Sequence, residues 1–308
     1  MNIQDLIYFN DLAKTLNYTE TAHNFFVSQP TISLAVKRLE EEFDTNLFNR
    51  QRFSKGMTIT ETGELLLDFS NRLVLQLAAT KQKIRDTSNN VVSFGFLPTI
   101  GGALWPRFIP QVKKASPDIH FYEEESSDVM FELVKTGEVP IAIVGHDKPN
   151  ISDESIQQTP ILKEAFTLWT KADHPLAKKS FITPADLKGE TLLSLSQGYT
   201  HQRIFHDWLA ANHLEDEVTL LYTKEIRTAL SIASTSHMLA FMSPIIADRH
   251  LDLVQLTIEN APKFYISLVV NTAEQYGHNQ RIFNEEMADI ASDLYEQFSA
   301  LETKRSIE

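Results

Sequence analysis

The sequence predicts an α/β chain in three parts: a small helical unit with a β-wing, one long helix, and two α/β lobes. Three observations predict it. Residues 1–60 carry three short stretches of helical periodicity followed by two short strand-like segments, residues 61–86 carry one unbroken helical stripe, and from Val91 onward strands and helices alternate. At 308 residues the chain exceeds one typical domain, and a hydrophobic content of 43% is ample for packed cores.

In the first unit, Ile3, Leu6, Phe9, Leu12 and Leu16 repeat every three or four residues and describe a first helix. Asn17-Tyr18 breaks the pattern, and Thr19 is read as the cap of a second short helix through Ala22, Phe25 and Phe26. Val27-Ser28 is then a tight turn. Ser28 is a good N-cap and Pro30 sits in the first turn, where its missing N–H costs little. Ile32, Val36, Leu39 and Phe43 fall on one side of the third helix, with Pro30, Leu34, Lys37, Arg38 and Glu41 on the other. Asp44 stands where the helix end needs a left-handed residue. Residues 50–60 read as two strands around a Lys55-Gly56 tip, a basic wing beside the helices. A short helix with one buried stripe and a basic outer face, preceded by another short helix, is the second half of a helix-turn-helix, the part that enters a DNA groove. The bland alternative is a three-helix packing unit with incidental charges.

These residues resemble the N-terminal domain of LysR-type transcriptional regulators. The resemblance is carried by Ala22, Phe26-Val27-Ser28-Gln29-Pro30-Thr31-Ile32-Ser33, Lys37-Arg38-Leu39-Glu40, Leu47-Phe48-Asn49-Arg50 and Thr58-Ile59-Thr60-Glu61-Thr62-Gly63, nearly continuous over residues 3–67. Where Leu34 stands the family commonly has a basic or polar residue, and where Asp44 stands it has Gly. A Leu can touch a thymine methyl but makes no hydrogen bond. The expected DNA contacts are Ser28, Gln29, Pro30, Thr31, Ser33 and Lys37 at bases or adjacent phosphates, with Leu34 as an apolar contact. Arg38, Arg50, Arg52 and Lys55 are expected to hold phosphates.

A net charge of −13 is unusual for a DNA binder. Residues 1–60 hold six Lys/Arg against seven Asp/Glu, so the acid excess lies elsewhere, and five of those six basic residues fall between 37 and 55. Local clustering toward phosphates is what matters. A near-neutral module gains from being doubled.

Thr60 is read as the cap of the long helix, whose stripe is Leu66, Phe69, Leu73, Leu77, Thr80 and Ile84. An isolated amphipathic helix of this length needs a partner, most economically its own copy; the alternative is a core helix of the next domain. Family resemblance implies a dimerising linker, in a homodimer or homotetramer. Residues 87–90 are expected to be a polar hinge. Strands are then predicted at 91–97, 119–123 and 141–144 with helices at 102–115 and 127–136. A second set has strands near 164–170, 191–195, 218–222 and 238–242 with helices near 200–212 and 225–234. Strands near 251–256 and 263–270 and a helix over 279–300 complete the chain.

Two such sets suggest a periplasmic-binding-protein-like pair of lobes around a cleft. The effector-binding domain of the same family is resembled more loosely, through Phe96-Leu97-Pro98-Thr99, His174-Pro175-Leu176 and Asp186-Leu187-Lys188-Gly189-Glu190; Ser231–Met238 departs from the family's glycines. The expected division is a winged helix-turn-helix over 1–60, linker and hinge over 61–88, and an effector-binding domain over 89–308. Its lobe I would comprise 91–162 and 268–308, and lobe II 163–267, with crossings near 161–165 and 264–268.

Ligands of doubly wound folds sit beyond strand carboxyl ends, near helix N-termini. That rule nominates Pro98, Thr99 and Ile100, then Ser126 and Ser127, then Gly145 and His146, then Gln197, Gly198, Tyr199 and Thr200, with Arg203 one turn inside the following helix. A small carboxylate is the expected effector class, by analogy with family members that sense organic acids. The bland reading is that these are ordinary capping residues. The family also implies a promoter operator in double-stranded DNA as partner, RNA polymerase if the output is activation, and ligand-driven shifts in lobe arrangement.

Zero cysteines excludes disulfides, thiolate metal sites and a Cys nucleophile, and fits a reducing cytoplasm. No apolar run approaches a bilayer span, and no signal-peptide layout is present, so a cytoplasmic protein without membrane contact is expected. Neither a metal-ligand His spacing nor a G-x-S-x-G elbow occurs, and His174 reads as structural. No cofactor, metal or catalytic set is expected. The rivals are a DNA-tethered α/β enzyme and a plain solute-binding protein.

Overall fold

The computed structural model describes residues 2–50, 57–112, 118–247 and 252–305; the side chains of Arg50 and of residues 302–305 lie outside that description. The chain divides into two compact units, residues 1–82 and 83–308.

The N-terminal unit packs α1 (Ile3–Thr15), α2 (Tyr18–Asn24) and α3 (Gln29–Glu42) beside an antiparallel pair, β1 (Phe48–Arg50) and β2 (Met57–Ile59). Leu6, Phe9, Leu12, Ile32, Val36 and Leu39 are buried together with Leu47, Phe48 and Leu66. Burying each such side chain contributes roughly 1.5–3 kcal/mol. The cap of α2 is Asn17, not Thr19: its Oδ1 accepts from the N–H groups of Thr19 and Glu20. Ser28 caps α3 by position only, its hydroxyl lying 2.9 Å from that of Thr31. Asp44 does adopt the left-handed conformation at φ 48°. Phe43, expected in the buried stripe, is exposed at the helix end. The Lys55-Gly56 tip falls outside the described residues.

The long helix α4 (Glu61–Asn89) begins where Thr60 Oγ1 accepts from Gly63 N–H at 3.0 Å. Leu66 packs into the N-terminal core and Ser70 donates to Asn10 within it. The expected hinge at 87–90 is helical through Asn89; only Asn90 turns left-handed, at φ 58°. Ser and Thr at a helix end are tolerated when hydroxyls return to backbone carbonyls, as Thr87 and Ser88 do to Lys83 and Ile84.

The C-terminal unit contains two five-stranded sheets. The first comprises β3 (Val91–Phe96), β4 (Asp118–Glu123), β5 (Ile141–His146), β6 (Ile156–Ala165) and β12 (Lys263–Asn271) in the order β4-β3-β5-β12-β6. The second comprises β7 (Thr167–Thr170), β8 (Thr191–Leu195), β9 (Thr219–Thr223), β10 (Leu239–Met242) and β11 (Val254–Thr257) in the order β11-β7-β10-β8-β9. Taken from the opposite edge, the second order matches the first: second strand, first strand, third strand, antiparallel crossing strand, edge strand. Within each sheet the first three strands run parallel, β3 with β4 and β5, β8 with β9 and β10. The crossing strands are antiparallel, so the sheets are mixed.

Helices α5 (Pro98–Phe108), α6 (Ser127–Lys135), α7 (Thr200–Ala211), α8 (Ile226–Thr235) and α9 (His278–Arg305) complete the unit. The first of these starts four residues earlier than the periodicity suggested, because Pro98 is favourable at a helix start and Leu97 already occupies the extended cap. One long strand, β6, escaped sequence reading; its burial alternates irregularly, without a period-two signal. The chain passes between sheets at Phe166 and again over residues 258–262, where the sequence had suggested 161–165 and 264–268. Among the described residues no helix is long and apolar enough to cross a membrane.

In the N-terminal unit, buried Asp5 accepts from Arg38 Nε at 3.1 Å and from Nη2, tying α1 to α3 across 33 residues of sequence. Removing one partner of such a pair leaves the other unmatched. Asp5→Asn and Arg38→Ala are each expected to lower the melting midpoint of this unit by several degrees, and the double variant by little more than either single one. Circular dichroism melts of the three variants check this coupling.

Candidate nucleic-acid interface and small-molecule cleft

Helix α3 buries Ile32, Ala35, Val36 and Leu39, its far side presents Pro30, Leu34 and Lys37 to solvent, and Ser28 and Gln29 are exposed at its N-terminal end. Leu34 is 55% exposed, on the side away from the helix's apolar core. Thr31 and Ser33 are half-exposed on the flank of that face. Lys37 pairs loosely with Glu41 at 3.4 Å, one turn on. Both groups are open to water, so the pair is weak and the ammonium can exchange it for a phosphate. Asp5 takes the Nε and one Nη of Arg38, and this hydrogen bonding raises the guanidinium pKa further. The pair ties α3 to α1 while the Arg38 side chain stays about half exposed. Arg52 and Lys55 lie outside the described residues, as does the Arg50 side chain.

The second site lies in the C-terminal unit, where the parallel strands of both sheets deliver helix N-termini to one cleft. Its volume is about 620 Å³, and its walls include Pro98 and Thr99 from the start of α5, Tyr199 before α7, Lys224–Arg227 at the start of α8, and Ile245–Ala247 after β10. A narrow recess of about 30 Å³ continues inward past Ile100, Ser127, Thr200, His201 and Phe264. Six of the nominated residues therefore line it: Pro98, Thr99, Ile100, Ser127, Tyr199 and Thr200.

The other six nominated residues are not among those lining the cleft or its recess. Ser126 donates to the Gly198 carbonyl at 2.9 Å, and Gly198 sits at φ +101°, a conformation that excludes most side chains. Gly145 lies against the ring of Phe264, with no room for a Cβ, and donates its N–H to Ser127. His146 is buried in a closed network: Nδ1 donates to the Lys148 carbonyl, Nε2 accepts from Ser267, and Ser267 Oγ in turn accepts from Gln158. Gln197 is exposed. Arg203, expected to offer free positive charge, is held by Asp128 at 2.7 Å and Asp147 at 3.3 Å. An incoming anion would have to displace two carboxylates.

Those contacts form a belt that joins the starts of α6 and α7. Ser126–Gly198, Thr200–Asp128 at 3.4 Å and Arg203–Asp128 all cross it, and the Tyr199 hydroxyl is shared between Glu125 at 2.9 Å and the Lys224 carbonyl at 3.1 Å. Burial, then the adjacent Glu125 carboxylate, pushes the Tyr199 phenol up to about 12. The N-terminus of α8 and the loop after β10 were not nominated from sequence. The strand-end rule applied to the strands ending near 222 and 242 would have found both. The loop after β10 is positioned by Glu164 of β6, which accepts from Ile245 N–H at 3.0 Å and from Ser243. Lys224 and Arg227 are exposed at the cleft mouth, and among the described residues neither forms an ion pair.

His201 has the most unusual environment. It is 4% exposed, wedged edge-on against Phe166 and Phe241, and its Nε2 has no hydrogen-bond partner among the described residues. Burial pushes its pKa down to about 3, with the Phe241 backbone opposing the shift. Between that value and the unfolded value of ~6.5 the unfolded chain binds the extra proton, so stability rises with pH across this window. His146, also lowered by burial, acts in the same direction. Below pH ~6.5 the C-terminal unit is expected to lose about 1.4 kcal/mol per pH unit for each fully buried neutral imidazole. Urea unfolding at pH 7.5, 6 and 5 measures the loss, and His201→Gln flattens it.

Two family models cover most of the chain: the bacterial regulatory helix-turn-helix protein of the lysR family over residues 3–64, and the LysR substrate binding domain over 85–286. The DNA-binding transcriptional dual regulator OxyR of Escherichia coli (strain K12) is 29% identical over 203 residues, 65% of each protein, so the chain matches just under two thirds of that relative's length. A probable RuBisCO transcriptional regulator of Phaeodactylum tricornutum is 24% identical over 305 residues, 95% of this chain and 98% of that one. Among solved structures, a full-length OxyR variant from Pseudomonas aeruginosa superposes with a TM-score of 0.56 at 23% identity, covering 94% of both chains. Full-length CbnR complexed with its target DNA gives 0.63 at 17% identity, covering 94% of this chain and all of that one.

Proposed function

Because the chain belongs to the LysR family of bacterial transcriptional regulators, we propose that two or four copies hold a promoter operator through α3 while a small molecule binds in each C-terminal cleft. The family is one of regulators, not enzymes, and this chain is a DNA-binding regulator with an effector-binding domain. In this reading residues 1–60 bind DNA, 61–88 pair the copies, and 89–308 sense the effector. The observation that carries the DNA face is the exposed row Pro30, Leu34 and Lys37 opposite the buried Ile32, Val36 and Leu39, with Gln29 exposed at the helix start. Pairing is supported by Leu65, Phe69, Leu75 and Ile84 of α4, which stay exposed on a helix too long for its own core to cover.

The effector we propose is a small organic acid with an apolar body. A cleft of 620 Å³ suits a small ligand, and Pro98, Ile226, Ile245 and Ile246 give it apolar walls. With Arg203 committed and His201 neutral, the cations available among the described residues are Lys224 and Arg227 at the mouth. The carboxylate therefore faces outward and the hydrocarbon inward. The relatives named as hydrogen peroxide-inducible activators suggest another signal. This chain has no cysteine, so a thiol-oxidation response is closed to it and a reversibly bound ligand fits better.

Fluorescence anisotropy on a duplex enriched by the wild-type chain from a random pool tests the DNA face. Lys37→Ala is expected to weaken binding and reduce the slope of log affinity against log salt by about 0.9, one phosphate contact. An unchanged slope removes Lys37 from the interface. For the cleft, a thermal-shift screen of organic acids and their amides should stabilise the chain with the acids only. Lys224→Ala together with Arg227→Ala is expected to abolish that shift, and Thr99→Val to reduce it. Equal stabilisation by the amides rules out a carboxylate.

A further inference from the structure

Phe26 is held in a conformation and an environment that both work against it. The N–H of Val27 bonds to the Ala22 carbonyl at 3.0 Å and that of Phe26 to the His23 carbonyl at 3.1 Å, the paired bonds of a Schellman helix end. Phe26 is the left-handed residue of that motif, at φ 54°. Gly or Asn takes this position without strain; a bulky aromatic there is an outlier. The same residue is 92% exposed, more than any other large hydrophobic side chain among the described residues. Among the described residues its ring neighbour is exposed His23, at 6.3 Å.

A strained aromatic in water contributes nothing to the fold of this unit, so its place matters. Two residues later Ser28 begins α3, and the exposed residues that follow are Gln29, Pro30 and Leu34. Positive φ at Phe26 turns the side chain away from the core cluster that Ala22 and Val27 join. The exposed ring therefore stands in the turn that leads into the helix which, in the reading above, faces DNA.

We propose that Phe26 is an affinity-determining DNA contact whose ring packs on deoxyribose and thymine-methyl surface beside the base pairs reached by α3. This rests on the proposed DNA face. Such a contact buries apolar surface and displaces no counterion, so it strengthens binding without steepening the salt dependence.

The test uses the full chain and the duplex enriched by wild type. Phe26→Asn, which suits the left-handed position, is expected to raise the melting midpoint of the N-terminal unit while weakening binding about tenfold at every salt concentration. The salt slope stays at the wild-type value. Phe26→Tyr keeps the ring and is expected to bind within twofold of wild type. Opposite signs in stability and affinity are not produced by a residue that merely holds the turn. Affinity of Phe26→Asn within twofold of wild type overturns the proposal and leaves the DNA face standing. Affinity loss that tracks a change in oligomeric mass by light scattering overturns it in favour of a contact between copies. If wild type enriches no duplex, both readings fall.

Discussion

The C-terminal unit depends on two chain segments crossing side by side between its sheets. Phe166 takes one crossing in a single residue, its N–H bonded to the Pro262 carbonyl of the other at 3.0 Å. The Phe166 ring stacks on Phe241 at 4.6 Å and meets His201 and Phe264, so the junction is closed by aromatic packing. Because β6 and β12 belong to one sheet and β7 and β11 to the other, this junction sets where the strand ends of both sheets meet. The cleft is a consequence.

Polar chemistry inside the cleft is divided by depth. The inner recess is neutral, with Ser127, Thr200 and an imidazole that burial keeps uncharged. Charge is concentrated in the belt and at the mouth. In the belt it is matched, Arg203 against Asp128 and Asp147, and there it joins elements from the two sheets. At the mouth it is free to meet a ligand. A single guanidinium moved from cleft wall to belt thus changes what the site can hold, without any change in the residues present.

The N-terminal unit shows the same division between residues that build a surface and residues that use it. Asp5 and Arg38 direct their charge to fixing α3, and Ser70 and Asn10 seat the start of α4 through a buried hydrogen bond. These interactions are internal and specify geometry. Outward, α3 presents Pro30 and Leu34 with Lys37 beside them, a mostly uncharged set. For a chain of net charge −13, specificity drawn from apolar and hydrogen-bonding contact is less sensitive to whole-chain repulsion than specificity drawn from cations.

The helix-turn-helix, the long helix and the alternation of strands and helices were legible in the sequence because each is written in local periodicity and caps. Leu6, Phe9 and Leu12 declare a helix to any reader of spacing, and Asp44 announces a turn. Strand β6 was not legible, since residues 156–165 lack a period of two and owe their conformation to the partner β12, about 100 residues later. Among the site residues, Thr99, Tyr199 and Thr200 could be found by rule, because helix starts after parallel strands are predictable positions. The fates of Arg38, His146 and Arg203 could not. Each is a polar side chain whose meaning is set by partners distant in sequence: Asp5, Ser267, and Asp128 with Asp147. Sequence by itself determined the elements that local spacing specifies, and their order, since these follow from neighbours a few residues apart. Only the tertiary structure decided which charges are free, because a hydrogen bond or ion pair depends on distance in space, and folding alone brings those partners within reach.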